Sequence, residues 1–259
     1  MIRLFEHPLS PYAQKVKIAL REKGVDFEVA TPGRVGQGGA SGEFLAANPR
    51  AEVPVLIDGA ASIFDSTIIL EYIEDRWPDP PLLPAGPADR ARVRMIEEVM
   101  DTHFEAITWG LSEVGWFRRA EGELARTLWK SAERQTRGFH AWLETQLGDR
   151  PWFNGESFGW GDIAVAPFVA ASAILGTAPT GKLAAWLDAV LKRPSVEATV
   201  GEARSFNRGS VDVADLVARG LFKREYRDHR LEWMIKSGGL EVVLAGLVAD
   251  NIRFTADFG

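Results

Sequence analysis

A chain of 259 residues, 46% hydrophobic and 25% charged, can bury a sizeable core and is long enough for one large domain or two ordinary ones. It has no cysteine, which excludes disulfides, thiolate zinc sites and a cysteine nucleophile, so thiol chemistry would have to use a borrowed thiol. The formal net charge of -6 removes the broad attraction to phosphate backbones on which nucleic-acid binding rests, and a small-molecule partner is expected instead.

In chain order, the first residues, Met1-Ile2-Arg3-Leu4-Phe5-Glu6-His7, carry charge inside an apolar stretch and read as a short strand rather than a signal peptide. No window reaches the apolar length of a bilayer span, so a cytoplasmic chain free of the membrane is expected. Ile2–Glu6 is followed by a helix over Pro11–Lys23, with Ala13, Val16, Ala19 and Leu20 on one face, Pro11 at its first position and Gly24 at its C-terminal cap. A strand at Phe27–Ala30 comes next. A proline-entered strand at Val53–Ile57 then turns through Asp58-Gly59 into Ser62-Ile63-Phe64, and Pro54 is a candidate for a cis bond. A second helix starts after Phe64. This βαβ…ββα order is that of a small α/β domain.

The proline-rich run from Trp77 to Pro87 blocks helix and marks a domain boundary. Beyond it the apolar period becomes helical: Val93, Ile96, Met100, Phe104, Ile107, Leu111 and Val114 form one stripe, and Leu124, Leu128, Ala132, Phe139 and Leu143 a second. Shorter helices are expected over Gly161–Leu175, over Leu183–Leu191 and from Ser195. The last stretch mixes both charges with a minor apolar stripe from Phe222 to Ile235, then spaces Leu240, Val243, Leu244 and Leu247 helically, and reads as two packed helices.

Two junctions could carry chemistry. Ser10 lies where the first strand meets the first helix, where unpaired amides and the helix dipole favour negative charge and would stabilise a thiolate. Asp65-Ser66 opens a later helix, where amides and a hydroxyl could hold a carboxylate. Taken alone, each junction reads more readily as an ordinary helix cap.

The segment Ser10-Pro11-Tyr12-Ala13-Gln14-Lys15-Val16-Lys17-Ile18-Ala19-Leu20 resembles the first-helix motif of the glutathione transferase family, most nearly its tau and omega classes, with serine where omega enzymes have cysteine. The resemblance continues through Lys23-Gly24-Val25-Asp26-Phe27-Glu28, Asn48-Pro49, Val53-Pro54-Val55-Leu56 and Asp65-Ser66-Thr67-Ile68-Ile69-Leu70-Glu71-Tyr72-Ile73. Further on, Phe158-Gly159-Trp160-Gly161-Asp162-Ile163-Ala164 and Arg193-Pro194-Ser195-Val196 bring its span to about residues 1–200.

The resemblance implies an α/β N-terminal thioredoxin-like domain at 1–78, a linker at 79–87 and an all-α helical domain at 88–204; residues 205–259 run past the point where the family's fold ends and read as an added C-terminal helical extension. It implies glutathione as co-substrate, no metal, and a homodimer. Ser10 would hold the glutathione thiolate, with Tyr12 in the same site. Val53 would pair with the cysteinyl backbone beside cis Pro54, and Asp65 and Ser66 would take the γ-glutamyl amine and carboxylate. Arg50, Arg34 and Gln37 are candidates for the glycine carboxylate. Trp109, Trp116, Phe117 and His103 fall where the family builds its hydrophobic substrate site, and a small hydrophobic, aromatic electrophile is the implied partner. Asp162 would be a structural capping residue. Gly159 replaces the family's Ser or Thr cap there, a departure costing up to a few tenths of a kcal/mol relative to serine. The extension is expected to cover the helical domain or a dimer interface in preference to closing the cleft. The other reading of the whole chain is a non-catalytic module of the same fold that binds ligands or mediates assembly.

Overall fold

The structure, a computed structural model, describes residues 1–34, 39–40, 42–206 and 213–254. Four strands make the first sheet: β1 (Ile2–Phe5), β2 (Phe27–Ala30), β5 (Val55–Asp58) and β6 (Ala61–Phe64), in the order β2-β1-β5-β6. β2 runs parallel to β1, joined by the crossover helix α1 (Pro11–Glu22), whereas β5 and β6 are antiparallel and joined by a hairpin with Gly59 at φ 58°. A short ribbon, β3 (Gly33–Arg34) with β4 (Gly39–Ala40), and helix α2 (Gly42–Ala47) lie between, and α3 (Ser66–Arg76) follows the sheet. This is the thioredoxin-like order expected from the sequence.

In α1 the apolar face, Ala13, Val16, Ala19 and Leu20, is completely buried, but so are Lys15 and Lys17. A helix hidden on both sides cannot keep lysines unless each finds an acid. Lys17 meets Glu202 at 2.5 Å and Glu6 at 3.4 Å, and Lys15 meets carboxylates of the second half described below.

The second half is helical: α4 (Pro87–Val99), one π-helical turn (Met100–Phe104), α5 (Glu105–Gly115), α6 (Gly122–Leu147), α7 (Trp160–Ile174), α8 (Gly181–Val190) and α9 (Pro194–Ser205). One apolar cluster runs across both halves, from Leu4 and Leu20 through Val93 and Phe104 to Phe168 and Trp186. At the start of α7 the buried Asp162 accepts from the amides of Phe153, Asn154 and Gly159 and from the Trp186 indole. Burial pushes its carboxyl up to about 6 despite these four donors. Gly159 is no weakened cap: a β-carbon there would overlap the Leu82 carbonyl and the Asn154 amide, so glycine is what the close approach admits.

From Phe222 on, the C-terminal segment forms the two packed helices expected of it, and a further short helix precedes them. It contains α10 (Val213–Ala218), α11 (Asp228–Lys236) and α12 (Leu240–Val248), with two short parallel strands, β7 (Arg224–Glu225) and β8 (Ile252–Arg253), bringing its two ends together. α11 packs against α5, where Gly110 leaves room for the Trp233 ring. Trp233, Met234, Tyr226 and Ile252 build a second core with Ile107, Trp109 and Leu128. Two buried acids of α5 fasten the segment. Glu113 accepts from Arg224, from Arg119 at 3.1 Å and from the Tyr226 hydroxyl at 3.1 Å, while Glu105 accepts from Arg230 at 2.7 Å and pairs with His229 at 3.0 Å. Burial alone would raise the Glu105 carboxyl, but Arg230 and His229 outweigh it and hold it down to about 2.

Candidate functional site

A cavity of about 420 Å³, within the range of small-molecule sites, opens where α1, α3, α4 and the C-terminal segment converge. Ser10, Tyr12, Val53, Pro54, Asp65 and Ser66 all line it, so three junctions far apart in sequence meet in one cleft. Each is placed by local structure. Ser10 is the N-cap of α1: its side-chain oxygen accepts from the Ala13 amide at 3.3 Å, which leaves the hydroxyl hydrogen to be given elsewhere. Val53 and Pro54 are joined by a cis peptide, and because the β5 ladder begins at Val55 the Val53 backbone stands outside it. Asn48 shapes this approach by donating to the Glu52 carbonyl at 2.8 Å and accepting from the Arg50 amide at 3.0 Å.

Asp65 caps α3 at φ 75°, its carboxylate accepting from the Thr67 amide at 3.0 Å and the Ile68 amide at 3.5 Å. That leaves Ser66 as the first residue of α3, buried and on the cavity wall at the positive end of the helix. Tyr12 is otherwise engaged: its hydroxyl donates to the Asp101 carbonyl at 2.6 Å, and burial keeps it well above its ordinary acidity range. It ties α1 to the π-helical turn.

Beneath the cavity lies a charged cluster that sequence reading did not single out. Lys15 donates to Glu97 at 2.7 Å and to Asp101 at 2.5 Å, and Glu97 also receives the Thr67 hydroxyl at 3.0 Å and the Trp160 indole at 2.5 Å. Burial opposes the Lys15 charge, but the two carboxylates outweigh it and hold the ammonium above its ordinary value. Asp101 is pushed up to about 7 by burial, against the pull of Lys15. Its Oδ1 is a buried acceptor with no partner, on a residue that lines the cavity. The π-helical turn carries Asp101 and Thr102 to this wall, and such turns are frequent at functional sites.

The remaining expected residues lie elsewhere. His103 is exposed outside the cleft, with Nδ1 2.7 Å from the Thr102 hydroxyl. Trp109 is buried under the C-terminal segment, edge-on to Tyr226 at 4.6 Å, and Phe117 stacks on Phe222 at 5.9 Å beneath the Arg224 guanidinium. Trp116 is exposed at the end of α5. The extension has thus taken up the apolar surface on which a hydrophobic substrate was expected, and in exchange it contributes Glu225, Arg227, His229, Arg230 and Arg253 to the cavity wall. Arg50 pairs with Glu52 at 2.6 Å and lies 3.9 Å from Asp65, off the cavity wall; Arg34 belongs to β3, and Gln37 lies outside the described residues. The extension both covers the helical domain and faces the cleft.

Among the described residues no group of acids and histidines is arranged to hold a metal ion, and no helix is long and apolar enough to cross a membrane.

Comparison with known proteins fits this architecture. Residues 4–81 match the model of the glutathione S-transferase N-terminal domain and residues 115–189 that of the C-terminal domain. Glutathione S-transferase U28 of Arabidopsis thaliana is 33% identical over 75% of this chain and 86% of its own length. A stringent starvation protein A homolog of Haemophilus influenzae is 30% identical over 80% of this chain and 93% of its own. Among solved structures, rice GST1 in complex with glutathione superposes with a TM-score of 0.64 at 27% identity, covering 83% of this chain and 96% of that one. With both family domains present in order, the chain belongs to the glutathione S-transferase family, and the transferase class of enzyme is the one its relatives support.

Proposed function

We propose that the protein binds glutathione in the cleft between α1, α3 and the cis Val53-Pro54 segment and directs its sulfur at an electrophilic carbon. The observation that carries this reading is the convergence of Ser10, Val53 and Ser66 on one cavity of about 420 Å³. The fit of the tripeptide rests on free polar atoms: the Ser10 hydroxyl hydrogen, the Val53 backbone outside its ladder, and an unpartnered Asp101 Oδ1. Ser66 would receive the γ-glutamyl carboxylate at the N-terminus of α3. Asp65 caps α3 through Oδ1 and keeps Oδ2 for the γ-glutamyl amine, and the orphaned Asp101 Oδ1 gives that ammonium a second partner.

Glutathione supplies the nucleophilic thiol, and the chain's task is to favour its ionised form. The Ser10 O–H donates to the sulfur and the α1 dipole adds to it, so a thiol near pKa ~8.5 ionises more readily at neutral pH. The cleft then holds sulfur and acceptor together in one geometry. Serine cannot form a mixed disulfide, so the chemistry is conjugation or displacement rather than disulfide exchange. With Trp109 and Phe117 beneath the extension, the acceptor meets a wall of charged side chains, and a polar electrophile suits it better than a purely hydrocarbon one.

A second reading, a module of this fold that binds glutathione without turnover, is favoured by the Haemophilus relative, whose name refers to starvation rather than to transfer. One experiment separates the two. Ser10→Ala is expected to lower kcat/KM for an activated aryl halide about 100-fold, the cost of a donor to a developing anion, with glutathione affinity nearly unchanged. Turnover unaffected by the substitution refutes the role given to Ser10, and turnover absent from the unaltered protein refutes the catalytic reading.

A further inference from the structure

The C-terminal segment is dense in cations, and from residue 213 on nearly all of them are spent within the fold. Arg219 lies 3.1 Å from Asp215, Lys223 2.7 Å from Asp250, Lys236 3.4 Å from Glu232 and Arg253 2.9 Å from Glu225; Arg224 is on Glu113 and Arg230 on Glu105. Arg227 is the exception. Among the described residues its guanidinium makes no hydrogen bond, and its one carboxylate neighbour within 4 Å is Glu52, whose Oε1 is 3.9 Å from Nε.

Its position is nonetheless fixed. The preceding Tyr226 is buried with its hydroxyl on Glu113, and the following His229 and Arg230 grip Glu105. The Arg227 carbonyl accepts from Leu231 at 2.9 Å, and the side chain lines the cavity with Glu52 and Val53. A rigid backbone presenting an uncommitted guanidinium to a cavity is a pre-organised anion receptor.

The acids nearest to it each have another cation or donor at closer range. Glu52 Oε2 lies 2.6 Å from Arg50, and Glu225 lies 2.9 Å from Arg253, so each acid has a cation nearer than Arg227. Asp65, 3.9 Å from Arg50, has its donors in the α3 amides. A carboxylate entering beside Val53 therefore meets a guanidinium that, among the described residues, makes no hydrogen bond.

We propose that Arg227 anchors a carboxylate-binding subsite supplied by the C-terminal segment, which receives either the glycine carboxylate of glutathione or a carboxylate on the acceptor. The inference rests on glutathione occupying the cleft. It gives the extension a role in the site: it exchanges an apolar wall for a charge that selects anionic ligands. If the glycine carboxylate is the ligand, the receptor lies beyond the segment 33–50, where Arg34, Gln37 and Arg50 were expected to supply it.

The test is titration calorimetry and steady-state kinetics on the whole protein with Arg227→Gln and Arg227→Lys, after confirming that their melting temperatures match the unaltered chain. The probes are glutathione, γ-glutamylcysteine, and a benzylic halide with and without a para carboxylate. If the glycine end is held, Arg227→Gln weakens glutathione about tenfold or more, the low end for a lost charge-assisted hydrogen bond, and leaves γ-glutamylcysteine unchanged. If the acceptor is held, glutathione is unaffected and KM rises about tenfold for the carboxylated halide alone. In either case Arg227→Lys retains most of the affinity. Equal weakening of charged and uncharged probes, or no change in any, overturns the subsite while leaving glutathione binding intact. Failure of the unaltered protein to bind glutathione removes the reading beneath it as well.

Discussion

The strands β7 and β8 bring Glu225 beside Glu52, and burial together with that second acid pushes the Glu225 carboxyl from its ordinary 4.5 up to about 7. Arg253 and Arg230 pull the other way without cancelling the rise. With the segment docked, Glu225 keeps its proton; released into water, it ionises near 4.5. Between these values the docked state binds more protons, so docking weakens as pH rises, by about 1.4 kcal/mol per pH unit and about 3 kcal/mol in all, with no further loss above about 7. Below 4.5 both states are protonated and docking is at its strongest. The amides of Arg224 and Tyr226, bonded to the Asn251 and Arg253 carbonyls at 2.9 Å each, report on it directly. Their hydrogen-exchange protection, corrected for intrinsic rates, is expected to fall from pH 5 to pH 8. In Glu225→Gln that slope should vanish, and protection at pH 8 should exceed the unaltered chain's. Asp101 and Asp162 also hold raised carboxyls but are untouched by this substitution, so the difference between the two proteins isolates Glu225. A flat profile in the unaltered chain, or an equal slope in both, refutes the reasoning.

Asp162→Ala strips the acceptor from three buried amides and the Trp186 indole, and a loss of about 3 to 5 kcal/mol is expected in urea unfolding; a loss below 1 kcal/mol would show the carboxylate to be dispensable. Gly110→Ala drives a β-carbon into the Trp233 ring. It should cost about 1 to 3 kcal/mol and render the segment after residue 220 sensitive to limited proteolysis, with the fold up to α9 preserved.

Local pattern carried most of the architecture. The α1 stripe, the Asp58-Gly59 turn, the proline before β5 and the helical periods after Pro87 are short-range signals, and each produced the element expected of it. The cleft was legible at Ser10, Val53 and Ser66 because each sits at an element junction, where unpaired amides are a matter of local geometry. What escaped sequence reading is non-local. Nothing local to Lys15 shows that α4 brings carboxylates to it, and the mixed charge pattern of Phe222–Ile235 does not reveal that Arg224 and Glu225 pair with Ile252 and Arg253. Trp109 and Phe117 fell in the expected region, but which partner covers an aromatic ring is decided by tertiary packing alone. Gly159 is the opposite case: its glycine looked like a missing cap, yet the contact that demands it comes from Leu82, in the linker.

Glu97 gathers donors from α1, α3 and α7 while itself belonging to α4. Severing the polypeptide at the proline-rich bridge would strand a solvent-starved ammonium in one fragment and its counter-ion in the other. The two halves are consequently poor interchangeable cassettes: a hybrid with a relative's helical portion is expected to fold stably when Lys15, Thr67, Glu97 and Trp160, or a matched replacement set, travel as one unit.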